Sequence, residues 1–254
     1  YILLSFLLLV AYGEQTIAQL PQFNLQISEQ SQHFGPAYGF TQDQQGYIWF
    51  SSFAKGLVRY NGKEFKTFKH DPENPNTPAS NMIVSMAVDH SGRIWMACIG
   101  SGLDRFDPVT NSFTHFRQNK ADPNSLISDT VFYVMIDHNG KPWIGTSKGL
   151  EAFDNKTNKF IHIQNKIDDK PVDIRPAVFE VYEDKKGIIW FSTGNPIDGL
   201  PSDFDGLNRL DPATGKQSFY KSDPVDPGSL INREISAIFE DSRGNLWVGT
   251  KGNG

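Results

Sequence analysis

The chain has 254 residues, 38% hydrophobic and 13% aromatic, enough apolar material for a core of ordinary size. A net charge of −5 and the lack of any Lys/Arg run argue against a protein that grips a nucleic-acid backbone or an anionic membrane. The single cysteine, Cys98, excludes a disulfide framework and a cysteine-rich metal site.

The opening segment, YILLSFLLLVAYG, is apolar but short for a membrane span, and small residues follow at Thr16-Ile17-Ala18. Residues 1–18 read as a secretory signal peptide lacking its basic start, so export is expected. Residues 19–39 form an N-terminal segment in which FNLQIS (23–28) is a candidate ring-closing strand.

From residue 40 the chain repeats. All five tryptophans share one register, Trp49, Trp95, Trp143, Trp190 and Trp247, with separations of 46, 48, 47 and 57 positions. Three positions before each stands a glycine: Gly46, Gly92, Gly140, Gly187 and Gly244. Three before each glycine stands an aspartate: Asp43, Asp89, Asp137, Asp184 and Asp241. Gly-Leu then recurs at 56–57, 102–103, 149–150 and 206–207, followed by an aromatic-rich stretch and a polar linker, twice DP-x-SL. The Asp side chain and Gly suit a tight hairpin, the first by accepting backbone N–H groups two or three residues on, the second by its positive φ. The Trp is expected to fill the space between neighbouring sheets.

Four short strands per unit, with no sustained helical period, is the pattern of a β-propeller blade. The units are expected at 40–82, 83–130, 131–176 and 177–233, with the start of a fifth at 234–254. The fold class is therefore all-β, an open arc of about four complete four-stranded antiparallel blades and the start of a fifth. The chain stops at NLWVGTKGNG in mid-pattern, so a longer protein is expected.

The unit resembles the two-component regulator propeller repeat, D-x-x-G-x-(I/L)-W-(I/V)-G-T-x-x-G-L-x-R-(F/Y)-D. It stands here as DHSGRIWMACIGSGLDRFD (89–107), DHNGKPWIGTSKGLEAFD (137–154) and DSRGNLWVGT (241–250). The resemblance covers residues 23–254. It departs at Ala152, where Arg59, Arg105 and Arg209 stand in other units, and at Cys98, which replaces Thr. It implies the periplasmic sensor region of a Bacteroidetes-type hybrid histidine kinase, on the outer side of the inner membrane. The implied partners are oligosaccharide ligands, downstream membrane-proximal and kinase domains of the same chain, and a second copy of the full-length protein. Kinase activity would belong to that longer chain, since these residues hold no kinase motif, and no nucleic acid, metal or cofactor is implied for them.

Two chemical readings are weighed against this. The Asp-His pairs 89–90 and 137–138 suggest acid/base or metal sites, but the same slot holds Gln44, Lys185 and Ser242 in other units. The histidines are therefore expected to be solvated turn residues. Cys98 takes a strand position where others have Thr or Ser, so burial is expected over reactivity. No catalytic residue is assigned.

One feature breaks the register. Gly206 follows Trp190 by 16 positions, against six or seven elsewhere, and the extra sequence is GNPIDGLPSDFD (194–205). In a blade that loop opens on the same face as the inter-blade linkers, where long loops often carry function. Asn195, Asp198, Asp203, Phe204 and Asp205 offer carboxylate, amide and aromatic groups for sugar recognition. Lys55, Lys148, Arg175 and Arg233 should share that face. The expected function is an extracytoplasmic ligand-sensing propeller. The alternatives are a propeller-type polysaccharide lyase or other secreted propeller enzyme, and a non-enzymatic adhesion or scaffold propeller.

Overall fold

The computed structural model describes residues 34–167, 170–172, 175–194 and 203–251. The signal peptide expected at 1–18 and the closing strand expected at 23–28 lie outside them.

The described residues hold strands and no helix. The first sheet is β1 (Phe40–Gln42), β2 (Ile48–Ser52), β3 (Gly56–Tyr60) and β4 (Phe65–Phe68), in that order. The second repeats the order with β5 (Ile83–Val88), β6 (Ile94–Cys98), β7 (Gly102–Asp107) and β8 (Ser112–Phe116). The third is β9 (Val131–Ile136), β10 (Pro142–Thr146), β11 (Gly149–Asp154) and β12 (Lys159–His162). A small hairpin, β13 (Lys166–Ile167) and β14 (Lys170–Pro171), precedes the fourth sheet. That sheet is β15 (Val178–Glu183), β16 (Ile189–Thr193), β17 (Gly206–Leu210) and β18 (Gln217–Tyr220). The last pair is β19 (Ile235–Glu240) and β20 (Leu246–Thr250). Every strand pairing within these sheets is antiparallel. The inner strands pack in series, β1 on β5, β5 on β9, β9 on β15 and β15 on β19. This is an open propeller arc of four complete blades and the start of a fifth.

The first hairpin of each blade is closed by its aspartate. In the second, Gly92 N–H donates to Asp89 C=O at 2.8 Å and Asp89 N–H donates to Arg93 C=O at 2.9 Å. Gly92 has φ +78°, so the turn is a type I turn followed by a left-handed residue that forms a bulge. Asp89 Oδ1 accepts the N–H groups of Ser91 and Arg93, and Oδ2 accepts the indole N–H of Trp95 at 2.9 Å. The same indole bond joins Asp43 to Trp49, Asp137 to Trp143, Asp184 to Trp190 and Asp241 to Trp247. The structure thus adds to the expected turn a side-chain tie from the turn to the second strand.

The core is four apolar clusters, one per seam between successive sheets. Trp49 meets Met86, Met96, Cys98 and Phe106, and Trp95 meets Ile144, Phe153 and Phe160. Trp143 meets Val178, Val181, Phe191 and Leu210, while Leu207, Ile235 and Ile238 form the last cluster with Trp190 at its edge. Each Trp therefore packs against the following blade. Trp49, Trp95 and Trp143 are at most 1% exposed, whereas Trp247 is 62% exposed. The Arg of G-L-x-R also has a role here. Arg59, Arg105 and Arg209 lie over the rings of Trp49, Trp95 and Trp190. Where Ala152 replaces that Arg, Lys141 lies over Trp143 at 5.0 Å instead.

Candidate functional site

The β2–β3, β6–β7, β10–β11 and β16–β17 loops share one end of the blades with the inter-blade linkers. Gly102 N–H donates to the linker carbonyl of Asp129 at 2.7 Å, and Arg175 lies beside the Lys148-Gly149 turn. Lys148, Arg175 and Arg233 are exposed on this end and Lys55 is half-buried. Lys55 and Arg233 stand on the first and last sheets, so the structure does not gather the four cations into one cluster. Asn195 and Asp198 lie outside the described residues.

The described flank of the insertion is packed. Thr193 Oγ1 donates to Phe204 C=O at 2.5 Å, and Asn208 Nδ2 donates to Thr193 Oγ1 at 2.8 Å. Asp205 is buried against Gly194, Phe204 is half-buried and Asp203 is exposed. Asp205 thus closes the neck of the insertion, while Asp203 faces solvent.

The linkers that enter the second and third blades are anchored by carboxylate–histidine pairs that the repeat pattern does not single out. Asp104 on β7 and Glu151 on β11 follow Gly-Leu in their units, and both are fully buried. Asp104 Oδ2 accepts Ala79 N–H at 2.7 Å, while Asp104 Oδ1 lies 2.7 Å from His115 Nδ1. Glu151 accepts Ile127 N–H at 3.1 Å and pairs with His162 Nε2 at 3.1 Å. Each pair holds the incoming linker on its own blade, and the linker serine closes the loop locally: Ser125 Oγ donates to Asp122 C=O at 2.8 Å. The hydrogen bond to Asp104 raises His115, and that to Glu151 raises His162, against a desolvation that opposes both. Burial pushes the Glu151 carboxyl up.

The Asp-His turns lie at the other end. His90 and His138 are exposed, as read, but each imidazole also lies over the turn glycine of the next unit, Gly140 and Gly187. His138 N–H donates to Glu183 Oε2 at 2.7 Å, and Lys185 N–H donates to Glu240 Oε2 at 2.7 Å. His138 Nδ1 also pairs with Glu183 Oε1, so this slot joins neighbouring blades.

Titratable chemistry also meets a cavity on the inner strands. All four inner strands from β5 onward carry a register shift in their first residues. In a regular strand consecutive side chains point to opposite faces, and a bulge breaks that alternation. Phe179 and Glu180, consecutive on β15, consequently line the same cavity of about 150 Å³, together with Glu234, Ile235, Ser236 and Lys251. Glu180 also adjoins Tyr133 of β9, and the two influence each other's titration. Burial raises Glu180 from 4.5 to about 7, with Tyr133 opposing it. Burial first, then the adjacent Glu180, pushes Tyr133 above its usual value of 10. Phe179 stacks on Phe132 of β9 with centroids 4.2 Å apart. Glu234 Oε2 lies 3.4 Å from Lys251 Nζ across the rim.

The repeat pattern alone does not single out this pair. The signal was a column: Tyr133 and Glu180 both stand four before the turn aspartate, where other units have Gly39, Ser85 and Ala237.

A second and larger opening, about 530 Å³, lies where Trp190, Leu207 and Tyr220 face Leu230 and Leu246. In the preceding seams the third and fourth strands of the next blade cover this position, as Phe153 and Phe160 cover Trp95.

These features define the class: a β-propeller whose blades are tied by an Asp–Trp hydrogen bond and whose linkers are latched by buried carboxylates. The repeat is more particular. Residues 229–252 match the family model described as two component regulator propeller. No curated protein matches the sequence. The fold is shared with the extracellular domain of the putative one component system BT4673 from B. thetaiotaomicron, at 20% identity and TM-score 0.62 over 87% of this chain and 30% of that one. It is shared with the extracellular domain of the putative hybrid two component system BT3049 from the same organism, at 22% identity and TM-score 0.50, over 86% and 39%. Virginiamycin B lyase from Staphylococcus aureus, in a catalytically inactive form with quinupristin, gives 12% identity and TM-score 0.61 over 85% and 64%. The chain spans less than two thirds of each of these structures.

Proposed function

We propose that this chain is part of an extracytoplasmic sensor propeller that binds a saccharide and passes the signal to a histidine kinase in the same protein. The observation that supports this most is the match of residues 229–252 to the two component regulator propeller model. The fold shared with extracellular domains of sensor systems supports it further. In this reading, ligand at the linker end changes how blades meet, and the change is relayed to a membrane-proximal domain. The test is autophosphorylation of the full-length protein in membrane vesicles with and without oligosaccharides. A saccharide-dependent change is the expected result, and phosphorylation indifferent to every saccharide overturns the reading.

A second reading is favoured by one observation, the raised carboxyl of Glu180 beside a phenol. A glutamate near 7 matches the requirement for a general base at neutral pH. In a propeller lyase it would abstract the proton next to the substrate's carbonyl or carboxylate. Unsaturated product forming from a polyuronate and absorbing in the ultraviolet, lost in Glu180→Gln, would establish this reading over the sensor.

A further inference from the structure

We propose that the cavity between β15 and β19, lined by Phe179, Glu180, Ser236, Glu234 and Lys251, is a subsite for a single neutral hexose ring. The inference rests on the saccharide-sensor reading and adds the place and the chemical class of the ligand.

Size comes first. Pockets for drug-sized ligands start at roughly 300 Å³, and this cavity has about 150 Å³, room for one ring of a longer chain. The aromatic wall comes next. Phe179 is fixed from one side by Phe132, so its position does not have to be ordered when a ligand arrives. An ordered aromatic ring suits the C–H face of a pyranose.

The polar lining then selects the class. A pyranose presents hydroxyls that both donate and accept, and the cavity offers both: the Glu180 carboxyl, the Ser236 hydroxyl, and the Glu234–Lys251 pair. Two carboxyl side chains face one ammonium, so the site carries no surplus positive charge. A uronate or sulfated sugar would need a cation for its anion, and the one that lines the cavity, Lys251, is already paired with Glu234. Glu180 N–H is held by Ser192 Oγ at 3.0 Å, which fixes the backbone at this position. The bulge on β15 is what sets the aromatic and the carboxyl side by side; a regular strand would send one of them to the opposite face.

The test is calorimetric titration of the full-length protein with cellotriose, mannotriose, galactotriose and tri-galacturonate. At least one neutral trisaccharide binds, and tri-galacturonate does not. Phe179→Ala and Glu180→Ala each weaken the neutral ligand about tenfold or more, and Glu180→Gln, which keeps shape and hydrogen bonding, stays within about threefold. Ser236→Trp fills the cavity from its exposed edge without touching the apolar cluster, and it abolishes binding at an unchanged melting temperature. Lys156→Ala, at the far end of the third blade, binds as wild type. Neutral binding untouched by Ser236→Trp and Glu180→Ala, or binding of the uronate alone, overturns this inference and leaves the sensor reading standing. No binding of any saccharide overturns both.

Discussion

Asp137 Oδ2 accepts the indole N–H of Trp143 at 2.9 Å while Oδ1 of the same side chain holds the N–H groups of Asn139 and Lys141. One carboxylate thus satisfies three donors and ties the turn to a buried ring. Removing it leaves a buried indole N–H without an acceptor. Asp137→Ala is expected to destabilise the fold by about 2–4 kcal/mol in urea unfolding. Asn61→Ala, whose side-chain oxygen accepts the N–H groups of Lys63 and Glu64 in an exposed turn, is expected to cost under about 1 kcal/mol because water replaces the lost acceptor. Equal losses at the two sites would refute the role assigned to the buried bond.

Glu180 makes stability depend on pH. Its folded value, about 7, lies above the ordinary 4.5, so the folded protein binds more protons between those values. Stability therefore falls as pH rises through that window and levels off above it. Glu180→Gln removes the penalty. The variant should match wild type near pH 4 and exceed it by about 1–3 kcal/mol at pH 8. Denaturant unfolding at the two pH values decides it, and a gain that is the same at both would count against burial as the cause.

The linker latches depend on pH in the same sense. His115 and His162 are raised above 6.5 by Asp104 and Glu151. A histidine raised by folding contributes fully below pH 6.5, and the contribution fades as pH climbs through the folded value. Histidine NMR titration should place both rings above 6.5 in the native protein. Asp104→Asn should bring His115 down and leave His162 where it was. A His115 titration unmoved by Asp104→Asn would show that the pair in β7 and β8 does not hold the ring.

Glycine at the third-strand start is required by space as well as by backbone. Gly102 has φ +73°, and a Cβ there would stand 2.3 Å from Phe116 C=O. Gly215 has φ +71° with nothing within 4 Å of a Cβ. Gly102→Ala should lose about 3 kcal/mol or more, and Gly215→Ala about 1 kcal/mol, the cost of the left-handed backbone alone. Thermal melts of the two variants, read against each other, separate clash from strain.

The architecture was legible because the blade is written in residues whose roles are local. Asp, Gly and Trp within seven positions build one hairpin, so reading it five times in register is enough to count sheets. The candidate site is written differently. Tyr133 and Glu180 lie in successive units and meet only when β9 and β15 pack, and the bulge that turns Phe179 toward Glu180 leaves no mark in the alternation of side chains. The latches were hidden for a related reason. Asp104 and His115 sit opposite each other in the register of β7 and β8, and each looks like an ordinary polar strand residue until the pairing is known. The insertion at 194–205 drew attention because it broke the count, yet Asp205, its last residue, is buried in the neck of the loop rather than offered to solvent.

The serial packing of the inner strands has a mechanical consequence. Each blade is stiffened within itself by the turn tie and the antiparallel ladder, so the compliant joints of the arc are its seams. A degree of rotation at one seam is carried by the rigid blades beyond it and grows into displacement with distance, as along a lever. The cavity at Glu180 lies in such a joint, between β15 and β19. Whatever wedges there acts at the fulcrum, and the motion is read at the far end of the arc.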